Sequence, residues 1–271
     1  MSVMREMVNE SDASPALGVS LYRFATAGTR TWARTVAEVS AISTPSLKPG
    51  SMESSDTARR LREFGPLGVI ATLAIFASSM AGFIFTAILV LIWAHHSNTP
   101  PRDLGFTPPR HLAAMLPMGL ASGILLKLAV KSVAMPLLGA PAINVPYHYL
   151  IGNAAALPWL IATVLLSASF GEEVFFRGYL FERLSKLMGT GRIALFGTIL
   201  LSAALFALGH YHDQGIPGVE QASMTGLVLG GLYAWRKQIW LPMIVHAGYD
   251  LTAIAIIYFD WEEAVARLVF P

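Results

Sequence analysis

The stretch Gly171-Glu172-Glu173-Val174-Phe175-Phe176-Arg177 places two adjacent acids and an arginine directly after a mostly apolar run, residues 150–170. A charged side chain within a lipid bilayer costs about 3 kcal/mol or more unless it is paired or faces a polar cavity. Charges at or inside a membrane helix therefore need a partner or a task, and we expect these three to face the protein interior.

The composition indicates an integral membrane protein. Of the 271 residues, 54% are hydrophobic and only 13% are charged, whereas a typical soluble domain has about 25% charged residues. The net charge of +2 is too small to suggest binding to nucleic acid. The absence of cysteine excludes a thiolate nucleophile, disulfides and Cys-based metal sites.

Six apolar segments predict an all-α, polytopic membrane bundle of about six transmembrane helices. A span needs about 20 apolar residues, and the segments are 67–94, 112–138, 154–188, 193–208, 222–235 and 239–259. The third segment is expected to run unbroken through the acidic stretch to about Met188, before Gly189 and Gly191. The active site is expected in a cavity between the last four helices.

The chain is expected to divide near residue 62. Residues 1–62 are interpreted as a tail and linker, partly disordered or a surface helix, with 44–56 as the linker because of Pro45, Pro49 and Gly50. Residues 63–271 form the transmembrane domain. No internal repeat is visible.

The basic residues give conflicting indications about orientation. Bases should favour the cytoplasmic side, and the first, third and fifth loops carry them, which places both ends of the chain outside. The cluster Arg59, Arg60 and Arg62 indicates the opposite. Lys127 and Lys131 lie four residues apart in the second segment; snorkelling near a helix end is the favoured interpretation, and a polar cavity is the alternative.

Ionisable residues in the last four segments form pairs four residues apart. Glu173 with Arg177 and His246 with Asp250 have this spacing, which puts both members on one face of an α-helix. Glu173 and Arg177 can neutralise each other, and Glu172 is then the acid left over, rotated by about 100°.

These residues suit the activation of water. With no cysteine and no serine partnered to a base, water is the natural nucleophile, and Glu172 could act as its general base beside His210 and His246. Taken singly, the Glu–Arg pair could be a structural clamp and each histidine an anchor. Three polar clusters in three of the last four segments favour one shared interior site.

Three motifs resemble a known family. Glu-Glu-x-x-x-Arg at 172–177, Phe-x-x-x-His at 206–210 and His-x-x-x-Asp at 246–250 are similar to the signature of the intramembrane CAAX proteases and bacteriocin-processing enzymes, which include bacterial Abi proteins. The resemblance covers about 154–259. It implies a multi-pass helical fold, an endopeptidase activity, and a membrane-anchored, possibly prenylated, protein or peptide substrate in contact with lipid.

The resemblance also implies roles for single residues. Glu172 is similar to the general base that activates water, and His210 to the residue that helps to hold it. Glu173, Arg177 and Phe206 correspond to supporting positions. The crowded stretch after Gly209 also contains His212 and Asp213, which could compete with His210.

The transfer is least direct at Asp250. The resemblance implies that His246 and residue 250 polarise the scissile carbonyl and stabilise the oxyanion, but the family often has asparagine there. An ionised aspartate would repel an oxyanion. Asp250 is therefore either protonated, or it orients His246 and leaves the oxyanion to the imidazole.

Other functions remain open at this point. No cofactor is expected, but zinc bound by Glu172, His210 and His246 would give a metal-dependent version of the protease; no His-Glu-x-x-His motif is present. A non-catalytic bacteriocin-immunity or scaffold protein is a second alternative. A proton-coupled transporter is a third, although transporters usually contain inverted repeats.

Overall fold

The computed structural model describes residues 49–109 and 111–270. Every regular element in those ranges is helical, so the prediction of an all-α fold is confirmed. The chain there begins with helix α1, Pro49–Arg62, which replaces the expected linker over residues 49–56. The expectations for residues 1–48 lie outside the described part of the chain.

The first long apolar segment is a helical hairpin and not one span. Helices α2, Pro66–Ser78, and α3, Phe83–His96, have 13 and 14 residues and are separated at Gly82, where φ is +116°. The indole of Trp93, near the end of α3, donates to the carbonyl of Leu61, just before α2, at 3.1 Å. The end of α3 therefore lies beside the start of α2. Each arm is about 20 Å long at 1.5 Å per residue, less than the ~30 Å hydrocarbon core.

Four further helices are long and apolar enough to cross a membrane: α4, Leu112–Leu137; α5, Leu157–Met188; α6, Arg192–Gly209; and α8, Trp240–Tyr258. The count rises to five if Ser55–Arg62 and Pro66–Ala81, which meet at 60°, are taken as one span. A multi-pass membrane bundle is thus confirmed, with four to five candidate spans in place of about six.

The predicted fifth span lies within a longer, bent helix. Helix α7, Tyr211–Arg236, contains a break at Gly215, where φ is +63° and ψ is −154°. A short helix α9, Glu262–Ala266, follows α8. The polar residues at the start of α7 explain why composition alone places the span later, at 222–235.

Helix α5 carries the acidic stretch through the middle of the bundle. It is continuous from Leu157 to Met188, as predicted, but residues Val164–Glu172 and Val174–Leu180 are π-helical. Almost every residue from 171 to 184 is buried. π-Helical turns are rare and often occur at functional sites, and here they frame Glu172 and Glu173.

Glycines allow α4 and α8 to pack backbone against backbone. A Cβ at Gly123 would lie 2.2 Å from the Val245 carbonyl oxygen, and one at Gly248 would lie 2.6 Å from the Leu120 carbonyl oxygen. Side chains at both positions are therefore excluded while the two helices keep this separation. The contact places the middle of α4 beside the His246 turn of α8.

Candidate active site

One cavity of about 230 Å³ collects the side chains predicted to carry the chemistry. Its walls include Glu172 from α5, Phe206 from α6, His210 at the α6–α7 junction, and His246 and Asp250 from α8. The residues meet because Glu172 lies near the middle of the 32-residue helix α5. His210 and His246 therefore lie at similar depth in the bundle.

Glu173 joins helices α5 and α8 next to this cavity. Its Oε1 accepts a hydrogen bond from Arg177 Nη1 at 2.6 Å and lies 2.8 Å from His246 Nδ1. The Glu173 and Arg177 side chains are fully buried. A carboxylate oxygen only accepts hydrogen bonds, so an ionised Glu173 places the imidazole proton on Nδ1 and fixes the ring orientation.

The other imidazole nitrogen faces the remaining two acids. His246 Nε2 lies 4.0 Å from Glu172 Oε2 and 3.4 Å from Asp250 Oδ2. The Glu172 side chain keeps 13% of its surface exposed, and its Oε2 has no hydrogen-bond partner among the described residues. The geometry therefore separates a structural acid, Glu173, from an unpartnered acid that lines the cavity, Glu172.

The charged groups of the site form two sets. Glu173 is neutralised by the fully buried Arg177. Glu172 and Asp250 line the cavity together with His246 and Lys127, so acids and bases face each other across the space that a substrate would occupy.

His210 is held by its own helix. Its Nδ1 lies 2.9 Å from the carbonyl oxygen of Phe206, which can only accept, so Nδ1 carries the proton and Nε2 is left free. The Phe206 ring lies 4.8 Å from the His210 ring and 5.9 Å from the His246 ring. The Arg177 guanidinium lies 4.7 Å from the centre of the Phe206 ring. The Phe206 ring therefore contacts both histidine rings.

His212 and Asp213, which could compete with His210, differ from it in their exposure to solvent. The His212 side chain is 95% exposed and pairs with Asp213 at 2.7 Å. Neither side chain lines the cavity. Of the histidines in this stretch, His210 is the one that the fold places at the site.

Several residues of the cavity wall were not predicted from the sequence. Lys127 is only 7% exposed; its Nζ donates to Gln221 Oε1 at 3.1 Å and lies 4.7 Å from the centre of the Tyr249 ring. The favoured interpretation of Lys127 as a snorkelling residue is therefore wrong. Tyr249 follows His246 by three residues, so helical spacing could have identified it, whereas Gln221 carried no comparable signal.

The described residues do not form the ligand group that the zinc alternative requires. In the part of the chain that the structure describes, no three histidine, aspartate or glutamate side chains are placed to hold one metal ion. The three residues considered for zinc, Glu172, His210 and His246, line one cavity without forming such a group.

Comparison with known families agrees with the motifs. Residues 154–252 match a family model described as Type II CAAX prenyl endopeptidase Rce1-like, and this range contains all three motifs. No curated protein and no solved structure gives a significant match. The resemblance to the CAAX proteases is confirmed.

Proposed function

Because residues 154–252 match the model of the Rce1-like CAAX prenyl endopeptidases, we propose that the protein hydrolyses a peptide bond of a membrane-anchored substrate with a water activated by Glu172. The family implies CAAX-type intramembrane endopeptidase activity in general, and a prenylated, membrane-anchored protein as the general class of substrate. The assignment of water activation to Glu172 is our proposal, and so is each residue role below.

The observation that carries the proposal is the pair formed by Glu172 Oε2 and His246 Nε2. They lie 4.0 Å apart on the wall of one cavity, and the glutamate oxygen lacks a protein partner among the described residues. Hydrogen bonds to water span about 2.8 Å, so one water molecule can contact both atoms. This is the position that a hydrolytic water requires.

In the proposed reaction, Glu172 removes a proton as the water oxygen attacks the scissile carbonyl carbon. When substrate binds, the hydrogen bond donated by the N–H at Nε2 of protonated His246 passes from this water to the carbonyl oxygen, which becomes the oxyanion. His210, whose Nε2 is free, helps to hold the water. When the tetrahedral intermediate collapses, the C–N bond breaks and Glu172 returns its proton to the leaving amine.

Glu173 and Arg177 support the reaction without touching substrate. Glu173 holds Nδ1 of His246 at 2.8 Å, the arrangement in which a carboxylate orients a catalytic imidazole. Arg177 neutralises Glu173 and also donates to the Gly226 carbonyl at 3.2 Å, which ties α5 to α7. We propose that no metal or other cofactor takes part, and that the partners are lipid and the substrate, with no nucleic acid.

The test is proteolysis by the purified protein in detergent with a panel of farnesylated, geranylgeranylated and unprenylated membrane-anchored peptides. The wild type should cleave at least one peptide after exhaustive chelation, and Glu172→Ala and His246→Ala should not. His212→Ala, at an exposed position outside the cavity, is the matched control. Undiminished cleavage by both site variants would refute the proposal, and activity lost on chelation and restored by zinc would refute the metal-free mechanism.

A further inference from the structure

A second cavity adjoins the candidate active site. It has a volume of about 210 Å³ and shares with the first cavity a wall that includes Lys127, Asn144 and Gln221. A substrate that reaches Glu172 therefore passes close to this wall. The proposed mechanism uses none of the three residues.

Among the residues that the structure describes, the buried cation Lys127 has no counterion at contact distance. Within residues 49–109 and 111–270, its polar contacts are the Gln221 amide oxygen at 3.1 Å and the face of the Tyr249 ring at 4.7 Å. Asp250 and Glu262 act on it only at longer range; neither carboxylate lies within 4 Å.

Lys131, one turn further along the same helix, has both a counterion and a hydrogen-bond acceptor. Lys131 Nζ lies 3.1 Å from Glu262 Oε1 and also donates to the carbonyl oxygen of Ala142. The Glu262 oxygen further accepts the Asn144 N–H at 2.9 Å. Lys131 is therefore committed to the protein's own structure, and Lys127 is not.

The ammonium of Lys127 is held in place by a fixed acceptor. Gln221 Nε2 donates to Gln214 Oε1 at 2.7 Å, and Tyr249 Oη donates to Gln221 Oε1 at 3.4 Å. These contacts orient the amide so that its oxygen faces Lys127. An ammonium has three N–H donors, so this arrangement uses one and leaves two for a ligand in the cavity.

We propose that Lys127 binds a carboxylate of the substrate and thereby sets which peptides the site accepts; this rests on the proposed endopeptidase function. A cation inside a membrane protein is costly unless it meets an anion or a polar cavity. A peptide offers that anion as its C-terminal carboxylate or as an acidic side chain. Charge-assisted hydrogen bonds from a fixed ammonium are among the stronger ones, so the contact affects binding.

The experiment measures both binding and cleavage with four versions of one fluorescent farnesylated octapeptide. They carry a free C-terminal carboxylate or a C-terminal amide, each with one internal Glu or with Gln in its place. Dissociation constants come from anisotropy, and KM and kcat from product release. The proteins are the wild type, Lys127→Met, Lys127→Gln, Lys127→Arg and, as the matched control, Lys131→Met.

The wild type should bind one carboxylate form at least tenfold more tightly than its neutral counterpart, with the difference in KM and not in kcat. If the acid–amide pair shows the preference, the C-terminus is the ligand; if the Glu–Gln pair shows it, a side chain is. Lys127→Met and Lys127→Gln should abolish the preference, Lys127→Arg should restore part of it, and Lys131→Met should keep it.

Equal binding of all four peptides by the wild type would overturn the role of Lys127, and so would a preference that survives in folded Lys127→Met and Lys127→Gln. Should both variants fail to fold, the wild-type comparison and Lys127→Arg decide the outcome. A Lys127-dependent preference without any cleavage would refute the endopeptidase and leave the carboxylate site standing. Cleavage without any preference would refute the carboxylate site and leave the endopeptidase standing.

Discussion

At the scale of single residues, the two adjacent acids have different environments although they are neighbours in sequence. Glu173 is fully buried between Arg177 and His246, whereas Glu172 lines the cavity. The two side chains leave α5 in different directions, because successive residues of a helix are rotated around its axis. One acid orients the imidazole, and the other is left to react.

Asp250 provides the first prediction. Because Glu173 already holds His246 through Nδ1, the ring does not need Asp250 as its orienting partner. Asp250 lies 3.4 Å from Nε2, on the side where we place the oxyanion. Asp250→Asn should therefore retain activity, with a loss in kcat well below the roughly 10²-fold expected for a general base or an oxyanion donor.

A steady-state comparison of Asp250→Asn with the wild type on one cleaved peptide checks this. A loss of a hundredfold or more in a folded variant would show that the charge of Asp250 takes part in the reaction, and the proposed division of roles would then be wrong.

Arg177 provides a prediction about stability. Removing it leaves the buried Glu173 carboxylate without its cation and breaks the hydrogen bond from the guanidinium to the Gly226 carbonyl. Breaking a buried ion pair in this way costs about 3–5 kcal/mol, so Arg177→Met should unfold at a markedly lower temperature in detergent. Arg267→Met, which removes an exposed pair with Glu263, should change stability by less than about 1 kcal/mol. Equal effects of the two substitutions would contradict the account.

The sequence identified most of the candidate site at this scale. Helical spacing predicted that Glu173 pairs with Arg177 and that Glu172 is left out of this pair, and the structure shows both. It could not reveal that Glu173 contacts His246, because 73 residues separate them. Gln221 was missed for the same reason, since its neighbours are contributed by other helices, and a polar cavity was only the alternative interpretation of Lys127.

At the scale of the elements, glycine contacts decide how close the catalytic helices lie. Gly171 packs against α3, where a Cβ would lie 2.7 Å from the Phe83 carbonyl carbon. Gly123 and Gly248 bring α4 against α8 in the same way. The positions of His246 and Lys127 relative to each other therefore depend on residues that carry no side chain.

Gly123→Ala should disturb the site without touching it. The added methyl group meets the Val245 carbonyl oxygen at 2.2 Å, so α8 must shift, and overpacking of this kind costs about 1–3 kcal/mol. Thermal unfolding and cleavage should both decline. The matched control is Gly231→Ala in α7, where a Cβ meets nothing within 4 Å and helix propensity gains up to about 1 kcal/mol. An unchanged Gly123→Ala protein would refute the close contact.

The helical hairpin shows where composition fails at this scale. Residues 67–94 contain no ionisable side chain, so hydropathy alone cannot distinguish one long span from two short arms. A positive φ at Gly82 and the contact of Trp93 with Leu61 decide between them. Glycine is common in membrane helices, and its presence alone does not predict a break.

At the scale of the whole molecule, the hairpin resolves the conflict in the charge pattern. Arg62 pairs with Asp103 at 2.6 Å, Arg183 donates to the Arg62 carbonyl at 2.6 Å, and the Ile239 N–H donates to the Gly105 carbonyl at 3.0 Å. The bases of these neighbouring segments therefore share one end of the bundle. They are Arg59, Arg60, Arg62, Arg102, Arg183, Lys186, Arg192, Arg236 and Lys237.

The opposite end carries mainly acids. The loop at Gly152 hydrogen-bonds to Tyr258, and Glu262 binds Lys131 and Asn144 there. Because bases favour the cytoplasmic side, the base-rich end should face the cytoplasm. The expectation that both ends of the chain lie outside depended on counting residues 67–94 as a crossing, and it is withdrawn with that span.

Cysteine labelling in intact cells tests this orientation, since the chain has no cysteine of its own. Glu263→Cys should react with a membrane-impermeant maleimide, and Arg192→Cys should react only after lysis. Both positions are exposed. The reverse pattern would contradict the assignment and place the base-rich end outside.

The most direct test of the central claim is the turnover rate of Glu172→Gln on a peptide that the wild type cleaves. The substitution keeps the size of the side chain and removes its ability to accept a proton. We predict that kcat falls by about 10²–10⁴-fold with little change in KM, while Glu263→Gln, at an exposed position, cleaves like the wild type. If folded Glu172→Gln cleaves at a rate close to that of the wild type, Glu172 is not the base and the proposed mechanism is wrong.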